Sequence, residues 1–454
     1  MHISLIFYIL AENQSHMKLY NELKLRFDTP IWGLHPELAL FDILLDKNPH
    51  FVKLVSKDVL SGIKESSFGR KDSPTVEQVL RAAIYKEIKH LTYRELEVDM
   101  YDSKICSMFL RLEDNQGYSY SVMQKYISKI SEKSIKSIII EINNIGISEG
   151  IETVDKISTD TTNIQTNVHY PTNNSLVLDC IETATRLLKR IKKDKKDEND
   201  RLDEQRKAAK KLNYDINNSK KENLPSLFDP YLDTLKSFIL ESWTAVRNSS
   251  THIKAKQELK AFLPLMIKVY RNAYKLQIEG EKVANSDKVF SVFETHTDIL
   301  VKGQREVEFG HKVLITRGSS CMILDHDVFE GNPSDKGLLI PSITRIKTNY
   351  TRIPESSSTD GGFCSQENLE KCKELGLTNI VFTKVTKSLQ NIVSSPEIER
   401  MLKKWRGTTE AVISNLKRGF ELQRVLWEGF EKFCSKVAWS VLGYNLRVMV
   451  NRML

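Results

Sequence analysis

No glycine occurs between Ile151 and Glu279, and this gap constrains the fold more than any other feature of the sequence. Glycine supplies the backbone conformations that many tight turns need, so its absence favours long regular elements. From Ser175 to about Ile278 the chain is rich in Lys, Leu, Glu, Asn and Ala and has few turn signals. We therefore predict a long helical block, interrupted near Pro225 and Pro230.

The most charged part of this block, Arg186 to Lys211, holds twelve basic and six acidic residues. Two interpretations stay open for it, a solvated helical hairpin and a phosphate-facing surface. The whole chain is also basic, with 67 Lys and Arg against 59 Asp and Glu. A basic chain fits an anionic partner such as nucleic acid, although modest basicity by itself has many causes.

Short helices are predicted before the glycine-free block. Ser73-Pro74 has the pattern of an N-cap followed by the first helical residue, and Thr92 to Glu95 has the spacing of a capping box. Two further helices are predicted from Ser121 and from Glu132 to about Asn144. Consecutive short helices suit either a compact bundle or a helix-turn-helix reader of DNA, and both stay open.

After Gly280 the sequence changes to short β-branched and aromatic runs separated by glycines. We predict an antiparallel meander, then a βαβ-like unit, then a helical region that starts at Ser395-Pro396. The predicted strands are Val289 to Phe293, Glu308 to Thr316, Cys321 to Val328, a short extended run that ends at Asp360, and Asn379 to Phe382, with Ser365 capping the helix of the βαβ unit.

Cysteine usage and the N-terminus bear on the compartment. Six cysteines are scattered without a Cys-x-x-Cys pair, which argues against a disulfide scaffold or zinc module and favours reduced thiols in a cytosolic protein. The apolar run Ile3 to Leu10 is too short for a membrane span and lacks a basic signal-peptide region, so no membrane association is predicted. We interpret residues 1–16 as a non-native extension before a start at Met17.

Three carboxylates occupy positions from which a strand or helix could present them. Asp160 closes an alternating run that begins at Val154, Asp360 closes a second extended run before two glycines, and Glu410 lies in the C-terminal helical region. The glycines would allow backbone or substrate to approach closely. An aspartate at a strand end is also a common turn former, and that alternative stays open.

Arg406, Glu410 and Lys417 lie at offsets of 4 and 11 residues, so on a helix they fall within about 40° of one another. The adjoining face carries the apolar residues Leu402, Trp405, Leu416 and Phe420. The charged stripe therefore lies at the rim of a buried contact. Support of an ordinary surface helix by i,i+4 ion pairs is the competing interpretation.

Taken together, several blocks resemble the DDE transposases of bacterial insertion sequences, whose catalytic domain has a ribonuclease H-like fold shared with retroviral integrases. The blocks are Gly69 to Arg81 with Leu91 to Leu96, Thr159 to Thr162 with His169 to Thr172, Val301 to Gly303 with Glu308 to Val313, Thr359 to Phe363 with Asn368-Leu369, and Arg406, Glu410 and Lys417 with Tyr444 to Leu446. The sequence departs from the family at Lys403, where the family's signature has a Tyr.

The resemblance implies an α/β fold with a ribonuclease H-like mixed-sheet catalytic core, a helical N-terminal DNA-binding domain and a large helical insertion. The implied domains are residues 17–150 for DNA binding and residues 151–454 for catalysis, interrupted by the insertion at about 175–285. We interpret the insertion as a DNA-contacting or dimer-forming arm. We also expect residues from Lys18 to about Gly150 to bind the element's ends without the catalytic core.

Asp160, Asp360 and Glu410 are implied as catalytic residues that bind two Mg²⁺ ions, for which Mn²⁺ would substitute. Hard oxygen ligands suit these ions. Two metal ions bound side by side can stabilise the attacking and the leaving oxygen of a phosphodiester. Asp298 and Asp325 compete with Asp360, which we prefer because it ends an extended run and precedes two glycines. The residues implied in DNA contact are Arg406, Lys417 and Arg418.

The implied activity is metal-dependent cleavage at insertion-sequence ends and strand transfer to target DNA. The partners would be transposon-end DNA with terminal inverted repeats and target DNA, bound by a homodimer or higher oligomer in the bacterial cytoplasm, on the nucleoid when DNA is bound. One alternative is a helix-turn-helix regulator or an inactive transposase-derived DNA-binding protein. A coiled structural or interaction protein is another.

Overall fold

A computed structural model describes residues 30–63, 72–114, 116–193, 195–248, 252–301, 307–385 and 389–453. Some predictions fall outside these ranges. They concern the proposed extension at 1–16, the start at Met17, and the parts of two resemblance blocks at 69–71 and 302–303. The chain forms two compact units, of which the second spans Thr166–His311 and the first contains the described residues on either side of it. Within the described ranges, no helix is both long and apolar enough to cross a membrane.

Helices make up the first part of unit 1. They are α1 (Pro30–Leu34), α2 (Pro36–Lys47), α3 (His50–Leu60), α4 (Val76–Lys89), α5 (Tyr93–Asp102), α6 (Lys104–Phe109), α7 (Tyr120–Ile127) and α8 (Glu132–Ser148). The helices predicted from Ser121 and Glu132 are confirmed, as is the capping box of Thr92 with Glu95.

The N-cap predicted at Ser73 is wrong, because α4 is capped by Thr75. The hydroxyl of Thr75 accepts from the backbone N–H of Gln78 at 3.1 Å, and the Gln78 side chain accepts from the Thr75 N–H at 2.9 Å. A glutamine three residues after the cap completes this reciprocal box. Ser73 has Val76 at that position, which cannot hydrogen-bond back.

The last helix, α16 (Phe430–Met453), is buried along most of its length and packs against α8, α4 and α2. One hydrophobic core joins the N-terminal helices with α16 and with strand residues such as Val313 and Ile323. The domain boundary predicted near residue 150 therefore falls inside unit 1, and the N-terminal helices share their core with the C-terminal end of the chain.

Seven strands form one mixed open sheet in the order β2-β3-β1-β5-β6, with β4 paired to β3 and β7 paired to β1. They are β1 (Lys156–Thr166), β2 (Asp298–Val301), β3 (Val307–Arg317), β4 (Ile323–Phe329), β5 (Ser356–Thr359), β6 (Asn379–Phe382) and β7 (Arg424–Val425). The β1, β5 and β6 pairings are parallel, whereas β2 and β4 pair antiparallel with β3.

Most predicted strands are confirmed, including the meander of β3 with β4. The strand predicted at Val289 to Phe293 is wrong, because this segment has no strand structure. Val292 is buried in the core of unit 2 and Val289 packs against that core. Packing against helices overrides the β propensity of these residues.

Three further helices flank the sheet, namely α13 (Leu339–Tyr350), α14 (Gln366–Glu374) and α15 (Pro396–Gly419). The predicted βαβ unit is confirmed as β5, α14 and β6, with Ser365 capping α14 through the Asn368 N–H. The helix predicted from Ser395-Pro396 is α15, and the Ser395 hydroxyl caps it. α15 packs against β5 and β6, and this contact positions the residues discussed below.

Unit 2 contains the predicted helical block as α9 (Asn173–Ile191), α10 (Lys196–Asn218), α11 (Leu224–Asn248) and α12 (Ile253–Gln277). The interruption predicted near Pro225 is confirmed, because α10 ends at Asn218 and α11 begins at Leu224, with Pro225 in its first turn. The break predicted at Pro230 is wrong, because α11 continues through this residue. A proline in the first turn removes an N–H that has no helical partner anyway.

The charged stretch at the junction of α9 and α10 is a helical hairpin, as predicted. Lys189 contacts Asp203 at 2.5 Å, Lys192 contacts Glu198 at 2.7 Å, and Lys210 contacts Glu182 at 2.7 Å. These cations are thus paired with carboxylates of their own unit, which favours the interpretation as a solvated hairpin over a phosphate-facing surface.

Candidate active site

The carboxylates of Asp160 and Asp360 are brought together by the parallel pairing of β1 with β5. Thr159 lies opposite Thr359 in this register, so the residue that follows each of these threonines is one of the two aspartates. Asp360 directly follows β5, as predicted. Asp160, in contrast, does not end its strand, because β1 continues to Thr166 and its distal part pairs with β7.

The two glycines after Asp360 allow the close approach that the sequence predicted. A Cβ on Gly361 would lie 2.8 Å from the Lys384 Cβ, and one on Gly362 would lie 2.9 Å from a carboxylate oxygen of Asp335. The Asp360 carboxylate itself accepts from the Gly361 N–H at 2.7 Å and from the Thr383 hydroxyl at 3.1 Å. These bonds fix the direction of the side chain.

Helix α15 supplies Glu410 and Arg406, and buried polar contacts hold it on the sheet. The Thr409 hydroxyl lies 2.8 Å from the Ser158 hydroxyl on β1 and accepts from Arg317 Nε at 2.8 Å. Arg317 is fully buried, donates to the Trp405 carbonyl at 2.7 Å, and lies 3.9 Å above the Trp405 ring. Hydrogen bonds from the sheet to Thr409 and Trp405 therefore hold the turn of α15 that carries Arg406 and Glu410 in place.

All three predicted carboxylates converge on the guanidinium of Arg406. Its Nη2 lies 3.2 Å from an oxygen of Asp160 and 3.9 Å from an oxygen of Asp360, and its Nη1 lies 2.9 Å from an oxygen of Glu410. The first two distances limit the separation of the two aspartate oxygens to about 7 Å. Residues far apart in the sequence thus form one cluster, which we call the acidic triad.

The triad is graded in exposure, with side-chain exposed fractions of 15% for Asp160, 47% for Asp360 and 66% for Glu410. Burial raises the pKa of Asp160 above its ordinary value, and repulsion from the other two carboxylates acts in the same direction. The Thr161 N–H and the Arg406 guanidinium oppose this change. The negative charge of Asp160 is therefore less well stabilised in the folded protein than it is in water.

The triad offers only carboxylate oxygens, the ligand type that Mg²⁺ and Mn²⁺ prefer. Among the described residues, no three His, Cys, Asp or Glu side chains form a group ready to hold a metal ion. At the triad it is the Arg406 guanidinium that lies among the carboxylates, and its Nε has no hydrogen-bond partner within the described ranges. The metal role of Asp160, Asp360 and Glu410 stays a prediction.

The competing aspartates have other partners. Asp325 on β4 accepts from Arg345 Nε at 2.9 Å and Nη2 at 2.7 Å and from the Ser342 hydroxyl at 2.7 Å, and it is buried. Asp298 belongs to unit 2 and lies 3.2 Å from His311 Nδ1. The Asp325 carboxylate is thus bound to Arg345 and Ser342, and the preference for Asp360 over Asp325 stays a prediction.

The other residues implied in DNA contact lie further along α15. Lys417 is half-buried and Arg418 is exposed. Lys417 follows Glu410 by two helical turns, roughly 10 Å along the axis. Lys403, which departs from the family signature, lies on the exposed side and pairs with Glu399 at 2.7 Å.

Sequence reasoning missed Asp335 and Lys312 beside the triad. The Lys312 ammonium lies 2.8 Å from an oxygen of Asp335, and the Thr161 hydroxyl donates to the same oxygen at 3.3 Å. Asp335 lies in the loop between β4 and α13, where nothing in the local sequence indicates proximity to the triad. Arg317 was also missed, although a lone arginine at the end of an apolar strand run is a usable signal.

Comparison with family models, with curated proteins and with solved structures gives no match to this chain.

Proposed function

We propose that this chain is a DDE-type DNA transposase that cuts DNA at the ends of an insertion sequence and joins those ends to target DNA. The observation that carries the proposal is the convergence of Asp160, Asp360 and Glu410 on one point of unit 1. Each of these positions belongs to a different sequence block, and a chance set of carboxylates separated by 200 and 50 residues has no reason to meet.

The topology supports the proposed ribonuclease H-like core. The sheet is mixed, with parallel β1, β5 and β6 and antiparallel β3 and β4, and helices α13 to α15 flank it. The long helical segment lies between β1 and β2, where the resemblance implies an insertion. Catalytic carboxylates on adjacent central strands and a facing helix suit a metal-dependent nuclease site.

Two divalent ions bound by the triad, Mg²⁺ or Mn²⁺, would activate a water or a 3′-hydroxyl and stabilise charge on the reacting phosphate. The chain's own side chains would orient the DNA. Arg406 has the planar fork that can contact two phosphate oxygens together, whereas Lys417 acts as a point charge. Arg418 is exposed on the same helix and would extend this contact along the strand.

Helix α7 supports the proposed end-binding role of the N-terminal helices. Met123, Tyr126 and Ile127 are buried, whereas Gln124 and Lys125 are exposed on the opposite side. Glutamine and lysine are suited to base edges and phosphates when a helix enters a groove. We therefore propose α7 as the helix that contacts transposon-end DNA, with the active complex formed by two or more copies.

An inactive transposase-derived DNA-binding protein is the second candidate. The observation that favours it is the ion pairing of Arg406 with the whole triad, an arrangement that a purely structural salt-bridge cluster would also show. Such a protein would keep α7 and the fold but would not need the carboxylates for chemistry.

A cleavage assay distinguishes these functions. The substrate is duplex DNA built from the sequences that flank the gene, incubated with the full chain in Mg²⁺ or in a chelator. A transposase yields metal-dependent nicks with 3′-hydroxyl ends and products joined to a second duplex. A DNA-binding regulator retards the duplex and leaves it intact, and an interaction protein does neither.

A further inference from the structure

Arg406 occupies the centre of the acidic triad, which the proposed function assigns to divalent cations. Its two terminal nitrogens contact all three carboxylates, at 2.9, 3.2 and 3.9 Å. The Arg406 side chain is only 14% exposed, so the contact is not a loose surface pair. One guanidinium therefore bridges the three groups that a metal would need.

A guanidinium and a divalent cation cannot share these oxygens at low cost. Like charges about 4 Å apart repel by several kcal/mol even at the intermediate dielectric of a protein surface. One positive charge also leaves the three carboxylates with an excess of negative charge, which continues to attract further cations. The three carboxylates can therefore bind either the Arg406 guanidinium or divalent cations from solution.

We propose that Arg406 competes with divalent cations for Asp160, Asp360 and Glu410, and that metal binding releases its guanidinium to contact DNA phosphate. This inference rests on the proposed function and adds a regulatory role to Arg406. Its Nε has no hydrogen-bond partner within the described ranges, so release leaves no hydrogen bond at that atom to break.

Two consequences follow from the competition. Metal binding makes Arg406 available to phosphate, and phosphate that draws Arg406 away frees the carboxylates for metal. Because coupling between two binding events is reciprocal, DNA should raise the metal affinity by the same factor by which metal raises the DNA affinity. The triad would then be loaded mainly when DNA is in place, which would limit unwanted cleavage.

The test measures Mn²⁺ binding to the full chain without DNA by isothermal titration calorimetry. Arg406→Gln removes the competing charge and should bind Mn²⁺ more tightly than wild type, by roughly tenfold, within the range typical of coupling between sites. The matched control is Arg400→Gln on the same helix, where Arg400 is 78% exposed and pairs only at the surface with Glu397. The control should bind Mn²⁺ like wild type.

A second variant and a second readout keep the test decisive if Arg406→Gln folds poorly. Arg406→Lys keeps the charge but not the planar fork, so it should show a smaller increase in Mn²⁺ affinity. Thermal unfolding with and without Mn²⁺ should show a larger metal-induced rise in Tm for both variants than for wild type. Unchanged or weaker Mn²⁺ binding in both variants would overturn the proposal.

The outcome is separable from that of the proposed function. Normal Mg²⁺-dependent cleavage by wild type, with no affinity increase in the Arg406 variants, would overturn the competition and leave the transposase proposal standing. An affinity increase in a chain that cuts no DNA would support the competition and count against the transposase proposal.

Discussion

The proposed chemistry depends on a few single residues. Their positions could be predicted from the sequence only where the neighbouring residues gave a signal. The position of Asp360 after a strand was predictable because it follows an extended run and precedes two glycines, and the position of Glu410 on a helix because that helix has a charged stripe. The catalytic role of both stays a prediction. The positions of Arg317 and Asp335 beside the site were not predictable, because their hydrogen bonds with Thr409 and Thr161 join residues that are distant in the sequence. Arg406 was expected to face phosphate, whereas the structure pairs it with the carboxylates.

Replacing Asp160 by Asn should increase stability while removing activity. The pKa of Asp160 is raised in the folded protein, so the folded state holds its proton more tightly than the unfolded chain. Stability is therefore lost as the pH rises from the ordinary value of 3.8 through the higher pKa of the folded state.

Without divalent cations at pH 7, Asp160→Asn should increase the free energy of unfolding by about 0.5–2 kcal/mol, as is common when active-site strain is relieved. Urea unfolding at pH 7 and pH 4 measures this, and the difference from wild type should shrink at pH 4. Asp233→Asn, at an exposed position in the middle of α11, is the control that should change little. Equal or lower stability of Asp160→Asn at pH 7 would contradict the assignment.

Arg317 should act as a positioning residue for α15. Arg317→Leu leaves the Thr409 hydroxyl and the Trp405 carbonyl without their buried donor, so stability should fall by about 1–3 kcal/mol. Cleavage should fall as well, because the Arg406 turn loses its support, while end binding through α7 persists. Single-turnover cleavage and gel retardation on the same preparation test this, with Arg400→Gln as control. A folded Arg317→Leu protein that cleaves at the wild-type rate would refute the positioning role.

At the scale of elements, periodicity and capping predicted most helices, whereas tertiary packing decided the exceptions. The helix starts at Tyr93, Glu132 and Pro396 follow from caps that act locally. The strand prediction for Val289 to Phe293 was wrong because Val292 and Val289 pack in a core formed by helices. Strand propensity does not indicate which element a side chain will pack against. The continuation of α11 through Pro230 was likewise missed, because the local sequence gives no signal for it.

Helix α7 gives a prediction at this scale. Lys125→Ala should weaken binding to all duplexes about equally and reduce the magnitude of the slope of log affinity against log salt by roughly 1, because one phosphate contact is lost. Fluorescence anisotropy across a salt series measures the slope. Lys133→Ala, an exposed lysine on α8, is the matched control and should leave the slope unchanged. An unchanged slope for Lys125→Ala would remove α7 from the proposed interface.

At the scale of the whole molecule, the sequence predicted an α/β chain with a helical segment between strands, and the mixed sheet agrees. The sharing of one core between the N-terminal helices and α16 could not be predicted, because it joins the two ends of the chain. A fragment of residues 18–150 lacks α16 and exposes apolar surface that the full chain buries. DNA binding is therefore better tested on the full chain than on this fragment.

The central claim is that the acidic triad performs phosphodiester chemistry, and Asp360→Asn tests it most directly. The amide keeps the shape of the side chain and removes its charge, so ligand strength falls while the fold and α7 are unchanged. The measurement is single-turnover cleavage of flank-derived duplex in Mg²⁺, alongside retardation of the same duplex. We predict cleavage reduced by orders of magnitude with end binding retained, and an Asp360→Asn protein that cleaves normally in Mg²⁺ would contradict the account.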